Sequence, residues 1–137
     1  MTASQRAYGG RRTAQGGEVD ASTVIARSMT ERDLSQHVVN LARMLGWLVH
    51  RDPTWRATGT DAGYPDLTLV HPEHERLVFA ELKREGGSMT DAQKAWYRAL
   101  YDAAWAKENE PPAFIVTCWW PSDWLSGHIE RVLRGEG

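Results

Sequence analysis

Two acids and a lysine stand where a β-hairpin would bring them together. Asp66 ends the motif Gly63-Tyr64-Pro65-Asp66 and opens an apolar run, Leu67 to Val70. Glu81 and Lys83 end the next apolar run, with Leu82 between them. Pro72-Glu73-His74-Glu75 separates the runs and has turn composition. With that stretch as the loop, His71 faces Arg76, and counting back along both strands sets Asp66 opposite Glu81. Side chains alternate along a strand, so Glu81 and Lys83 share the face of Asp66. Directly opposed residues have Cβ atoms roughly 5 Å apart, and like charges there are destabilising. Two carboxylates at about 4 Å repel by about 1 kcal/mol in water and by several in a less polar site. A hard divalent cation between them would reverse that sign, and paired carboxylate oxygens suit Mg²⁺, with Mn²⁺ as its substitute. The competing assignments are a strand-edge acid bonded to a backbone amide for Asp66, and a solvated ion pair for Glu81 and Lys83.

Gly63-Tyr64-Pro65-Asp66-Leu67 followed by Glu81-Leu82-Lys83 resembles the PD-(D/E)XK nuclease signature, and within it the VRR-NUC domain, over Thr30 to Leu133. The resemblance implies a restriction-endonuclease-like α/β core and Mg²⁺-dependent hydrolysis of DNA phosphodiester bonds. It implies Asp66, Glu81 and the backbone carbonyl of Leu82 as metal ligands. Gln93 matches a glutamine that follows the Glu-x-Lys motif in the family; the alternative is a helix cap. Glu31-Arg32-Asp33-Leu34 resembles the first-helix acid of related junction-cleaving nucleases, so Glu31 is the candidate third acid and metal ligand, with Asp33 as its fallback. The alternative for Glu31 is an acid placed against a helix dipole. Short stand-alone members resemble phage Holliday-junction resolvases, which implies branched DNA as partner and a symmetric homodimer. A linear-DNA or non-selective nuclease of the same fold, and a non-catalytic nucleic-acid-binding module, are the alternatives.

Phosphodiester hydrolysis needs an activated water, an oriented phosphate, stabilised developing charge and a neutralised leaving oxygen. Bound Mg²⁺ serves several of these needs. Lys83 can position the water or balance charge on the phosphate. Positioning is favoured over general-base action, because the adjacent carboxylates oppose the lowered pKa a lysine base requires. Arg51, Arg56, Arg84 and Lys94 flank the acids and are the candidate nucleic-acid contacts.

The rest of the chain must hold these groups. At 137 residues it suits one domain with its own core. A 42% apolar and 25% charged composition is ordinary for a globular protein. Net charge −2 argues mildly against strong non-specific DNA binding. No apolar stretch is long enough for a membrane span, no secretory signal is evident, and Cys118 is a single cysteine. The expectation is therefore a cytoplasmic protein, of a bacterial or phage-infected cell, with Cys118 a buried structural thiol.

Residues 1–28 are rich in Gly, Ser, Thr, Ala and Arg and read as a flexible tail. A single domain is expected over 29–137. Thr30 and Asp33 suggest a capping box before a helix carrying Leu34, Val38, Leu41 and Leu45, ended by Gly46. Trp47 to His50 reads as a strand, and Arg51 to Gly63 as a long polar loop. After the hairpin, Thr90 and Gln93 form a second capping box, for a helix through Ala104. Ala113 to Trp119 reads as a buried strand and Pro121 onward as a last helix. The order α-β-β-β-α-β-α gives an α/β sandwich with a mixed sheet of about four strands. His71 and His74 read as surface histidines, His50 as an ordinary strand residue, and Trp119, Trp120 and Trp124 as core or subunit contact.

Overall fold

A computed structural model of the protein describes residues 20–52 and 62–136. The element order is α1 (Ala21–Ser28), α2 (Glu31–Met44), β1 (Leu48–Arg51), β2 (Leu67–His71), β3 (Arg76–Leu82), α3 (Asp91–Ala104), β4 (Ile115–Trp119), α4 (Pro121–Leu125) and α5 (His128–Leu133). The strands form one sheet in the order β1-β2-β3-β4. The first two pairings are antiparallel, and β3 with β4 is parallel. A parallel neighbour needs a crossover, and α3 supplies it. This is the expected mixed α/β core.

The hairpin register is the one the turn composition dictates: His71 pairs with Arg76 and Leu67 with Ala80. Alternation then splits the sheet into two faces. Leu67, Leu69, Val78, Ala80 and Leu82 face α2 and α5, where Leu34, Val38, Val39, Ala42, Ile129 and Leu133 complete a closed core. Phe79, Val116 and Cys118 face α3 and pack with Tyr97, Leu100, Tyr101 and Trp120. Trp119 and Trp120 are adjacent in sequence and so enter opposite cores. Burying each large apolar side chain contributes roughly 1.5–3 kcal/mol.

Both expected capping boxes form. The Thr30 hydroxyl accepts from Asp33 N–H at 3.0 Å, and the Asp33 carboxylate accepts from Thr30 N–H at 3.0 Å. Thr90 and Gln93 make the same reciprocal pair at the start of α3.

Four expectations need correction. The tail expected over 1–28 does not run that far: Ala21–Ser28 is a helix, N-capped by Asp20, whose carboxylate accepts from Thr23 N–H at 2.8 Å. Ala26 is buried, whereas Val24 and Ile25 remain exposed. The capping residue and one small buried side chain hold this helix, so it lacks the wide apolar stripe that marks a helix in sequence. The last helix divides at Gly127, whose φ of +82° ends α4 and restarts the chain as α5. The first strand is Leu48–Arg51, displaced by one from its expected position.

The fourth is His71, which is buried, not at the surface. Its Nδ1 accepts from His74 N–H at 3.3 Å, so Nε2 carries the proton and donates to the Leu45 carbonyl at 2.9 Å. Nearby, Trp47 Nε1 and Arg76 donate to the carbonyls of Leu133 and Val132, satisfying the end of α5. Among the described residues no helix is long and apolar enough to cross a membrane.

Candidate active site

The site lies where β2 begins and β3 ends. Asp66 sits just before β2, and its Oδ2 accepts from Leu82 N–H at 2.8 Å. The backbone bond expected for a strand-edge acid is therefore present. It coexists with a second contact: the Asp66 carboxyl is also hydrogen-bonded to the Glu81 carboxyl. Two carboxyl groups can share a hydrogen bond only with a proton between them. Glu81 is 4% exposed and supplies the cause. Burial, then the bond to Asp66, then the negative charge of Asp66 push its pKa up to about 10; Lys83 opposes the shift and Glu31 adds to it. Without a cation, Glu81 is thus a neutral acid at pH 7.

Lys83 continues the face of Glu81 and is 7% exposed. Its backbone N–H extends the pairing to β4 by donating to the Trp119 carbonyl at 2.9 Å. Its ammonium donates to Gln93 Oε1 at 2.7 Å. The Thr90 N–H donates to the same oxygen at 2.8 Å. Two donors converging there fix the amide orientation, so Gln93 Nε2 donates to Glu81 Oε1 at 3.0 Å. The capping and site roles considered for Gln93 are therefore held at once: one amide ends the helix, seats the lysine and holds the buried acid.

Gly63 explains how Asp66 reaches this place. Its φ is +87°, and a Cβ built there would lie 2.4 Å from the carbonyl carbon of Ala92 and 2.7 Å from Gln93 N. Only a glycine lets the chain pass flush against the first turn of α3. Tyr64 and Pro65 then lead directly into Asp66.

Of the predicted site residues, Asp66, Glu81, Lys83 and Gln93 come together. Glu31 stands at the exposed N-terminus of α2 and reaches Glu81 only through its field. Among the described residues no three His, Cys, Asp or Glu side chains group closely enough to hold an ion by themselves, so Glu31 does not complete a side-chain triad with the pair. Asp33 is committed to the capping box of α2, which holds its carboxylate below the usual range. Arg84 is exposed and Lys94 half-buried. Arg51 is exposed on β1 and donates to Gln36 Oε1 at 3.3 Å. Arg56 lies outside the described residues.

Three supporting roles escaped the sequence reading. The Glu85 carboxylate accepts from Ser122 N–H at 3.2 Å, and Trp120 Nε1 donates to the Gly87 carbonyl at 2.7 Å. Together they staple the loop after Lys83 to the start of α4. Asp123, 1% exposed, accepts from Trp120 N–H at 2.9 Å and fixes that staple. The Asp at the third helical position after Pro121 was the available signal. Cys118 pairs with Glu81 across the sheet and is buried; burial foremost pushes its thiol pKa up, so it stays protonated and inert.

Compared with known proteins, residues 17–108 match the model of the VRR-NUC domain. No curated protein and no solved structure matches the chain. With that match over more than half of the sequence, and the acid, acid and lysine in order at one end of a mixed sheet, the chain belongs to the VRR-NUC domain family, a PD-(D/E)XK-type nuclease family.

Proposed function

We propose that this nuclease domain is a Mg²⁺-dependent DNA endonuclease acting on branched DNA, with Asp66, Glu81 and Lys83 as its catalytic residues. The observation that carries the reading is the buried Glu81 against the half-buried Asp66, flanked by a lysine held at Gln93. The donor set fits a hard cation: Asp66 and Glu81 would hold a divalent ion in place of the proton on Glu81. The Leu82 carbonyl supports the fit, since N–H and C=O of one extended residue point to the same side, and Leu82 N–H points at Asp66. Glu31 supplements the negative field from α2. When bound, Mg²⁺ lowers the pKa of a water and offsets charge on the phosphate.

The chain's own residues do the rest. With a cation held there, Glu81 would release its proton to solvent, and both carboxylates would act as acceptors. Gln93 keeps Glu81 oriented by donating to Oε1, and keeps Lys83 extended along the same face by accepting from it. The Lys83 ammonium then donates to the attacking water or to a non-bridging phosphate oxygen, placing the nucleophile and opposing the charge that develops on the phosphorane-like transition state.

Arg84 follows Lys83 and Lys94 follows Gln93 in the chain, and both carry charge suited to phosphates, whose contacts carry no sequence information. That supports recognition by DNA shape. A four-way junction has two-fold symmetry, which a homodimer would match. The test compares four-way junction, flap and linear duplex DNA in Mg²⁺, Mn²⁺ and EDTA. Metal-dependent cutting with preference for branched substrates is expected. Equal cutting of linear duplex would replace the branched substrate with a non-selective one, and binding without cutting in either metal would leave a nucleic-acid-binding module.

A further inference from the structure

We infer that the hairpin turn and the end of α5 build an anion site for one phosphoryl group, remote from the acids. The inference goes beyond the cleavage reading and does not depend on it.

A pocket of about 260 Å³ opens between these segments, lined by His74, Arg76, Arg134 and Gly135. His74 lies in the turn between β2 and β3, Arg76 opens β3, and Arg134 and Gly135 follow α5. The acids stand at the other end of the hairpin, roughly 17 Å away along β2. Among the described residues no carboxylate lines the pocket.

Each lining side chain is held by a neighbour. The Arg76 guanidinium lies over the Trp47 indole, 5.9 Å from the ring centroid, and its Nη1 donates to the Val132 carbonyl at 3.1 Å. Gly135 passes so close that a Cβ there would lie 2.7 Å from that same nitrogen. The His74 ring packs on the buried His71 ring, with centroids 4.3 Å apart. Arg134 Nε donates to Glu130 Oε2 at 2.9 Å.

A guanidinium carries five N–H groups. Among the described residues, the α5 carbonyl takes one from Arg76 and Glu130 takes one from Arg134. Capping α5 thus accounts for a single Arg76 bond, and for neither Arg134 nor His74 at the same pocket. Like charges lining one pocket repel, and an anion between them reverses the sign. A tetrahedral oxyanion presents acceptors in several directions, so it can meet two guanidinium forks and an imidazole together. A carboxylate offers two oxygens in one plane. Arginine forks also match phosphate geometry. The ligand class is therefore a phosphate, free or at the end of a nucleotide.

Amide NMR of the full chain in EDTA, titrated with inorganic phosphate and with thymidine 5′-monophosphate, tests the site. Sodium chloride holds the ionic strength constant. Saturable shifts are expected at the amides of 74–76 and 134–136, with a Kd on the order of 1 mM. Equal affinities would identify free phosphate as sufficient, and nucleotide binding at least about tenfold tighter would identify the nucleotide. Arg134→Gln is expected to weaken phosphate binding about tenfold. Glu130→Gln, which frees Arg134 and removes a competing charge, is expected to tighten it about threefold. Thermal unfolding verifies that both variants are folded, and Glu130→Gln carries the comparison if Arg134→Gln does not fold. Chloride alone producing the same shifts, shifts centred on Asp66 and Leu82 instead, or one affinity in wild type and both variants would overturn the site. Duplex DNA moving these amides where phosphate does not would also overturn it, and would reassign the pocket to the DNA backbone.

Discussion

Glu81→Gln should stabilise the metal-free protein while removing its activity. The glutamine copies the neutral, protonated acid: its amide donates to Asp66, and its oxygen still accepts from Gln93 Nε2. Wild-type Glu81 must take up a proton on folding, because its pKa rises from the ordinary 4.5 to about 10. A raised folded pKa contributes stability that is fully present below pH 4.5 and is lost as pH climbs toward about 10. Each pH unit in that window costs about 1.36 kcal/mol, so at pH 7 the wild type forgoes at most about 3 kcal/mol relative to acid. Glutamine does not titrate and keeps that amount, which for a chain of this size raises the melting temperature by up to about 10 °C. Urea unfolding in EDTA at pH 5, 6, 7 and 8 measures the gap. It should be about 1 kcal/mol or less at pH 5 and widen steadily with pH. Excess Mn²⁺ should then stabilise the wild type alone. A Gln variant less stable than wild type at pH 7, or a gap independent of pH, would refute the shared proton.

The same proton must leave when a cation binds, so Mn²⁺ affinity by calorimetry should rise about tenfold per pH unit between pH 6 and 8. Gly63→Ala forces a Cβ into the backbone of Ala92 at a left-handed φ; it should cost at least about 2 kcal/mol in urea unfolding and slow cleavage by displacing Asp66. Thr90→Ala and Gln93→Ala separate capping from catalysis: each should lose about 1 kcal/mol of stability, but only Gln93→Ala should also lower kcat, by about tenfold or more. Lys83→Ala should leave Mn²⁺ titrations near wild type while turnover falls at least about tenfold; loss of Mn²⁺ binding would make Lys83 structural.

What the sequence made legible was whatever local chemistry dictates. Turn composition at Pro72–Glu75 set the hairpin register, and strand alternation then set Asp66 against Glu81 and Lys83 beside them. Thr-x-x-Asp and Thr-x-x-Gln set two helix starts. The hidden parts depend on distant partners. Helix α1 is held by a cap and one buried alanine, too little pattern to separate it from a tail. His71 faces the core because β2 alternates, yet its burial depends on the Leu45 carbonyl, far away in sequence. The tight seat of Gly63 against α3 and the Glu85 and Trp120 staples are tertiary contacts with no local signature. Gln93 fell between the two: its cap was readable, and its simultaneous hold on Lys83 and Glu81 required the sheet and helix to be docked.

A manganese soak read by anomalous diffraction puts the metal chemistry to its most direct test. At neutral to alkaline pH a peak should lie about 2.1 Å from carboxylate oxygens of both Asp66 and Glu81, and it should vanish in Glu81→Gln. A fully soaked crystal with no anomalous density between those two side chains, or with manganese bound only elsewhere, would contradict the assignment.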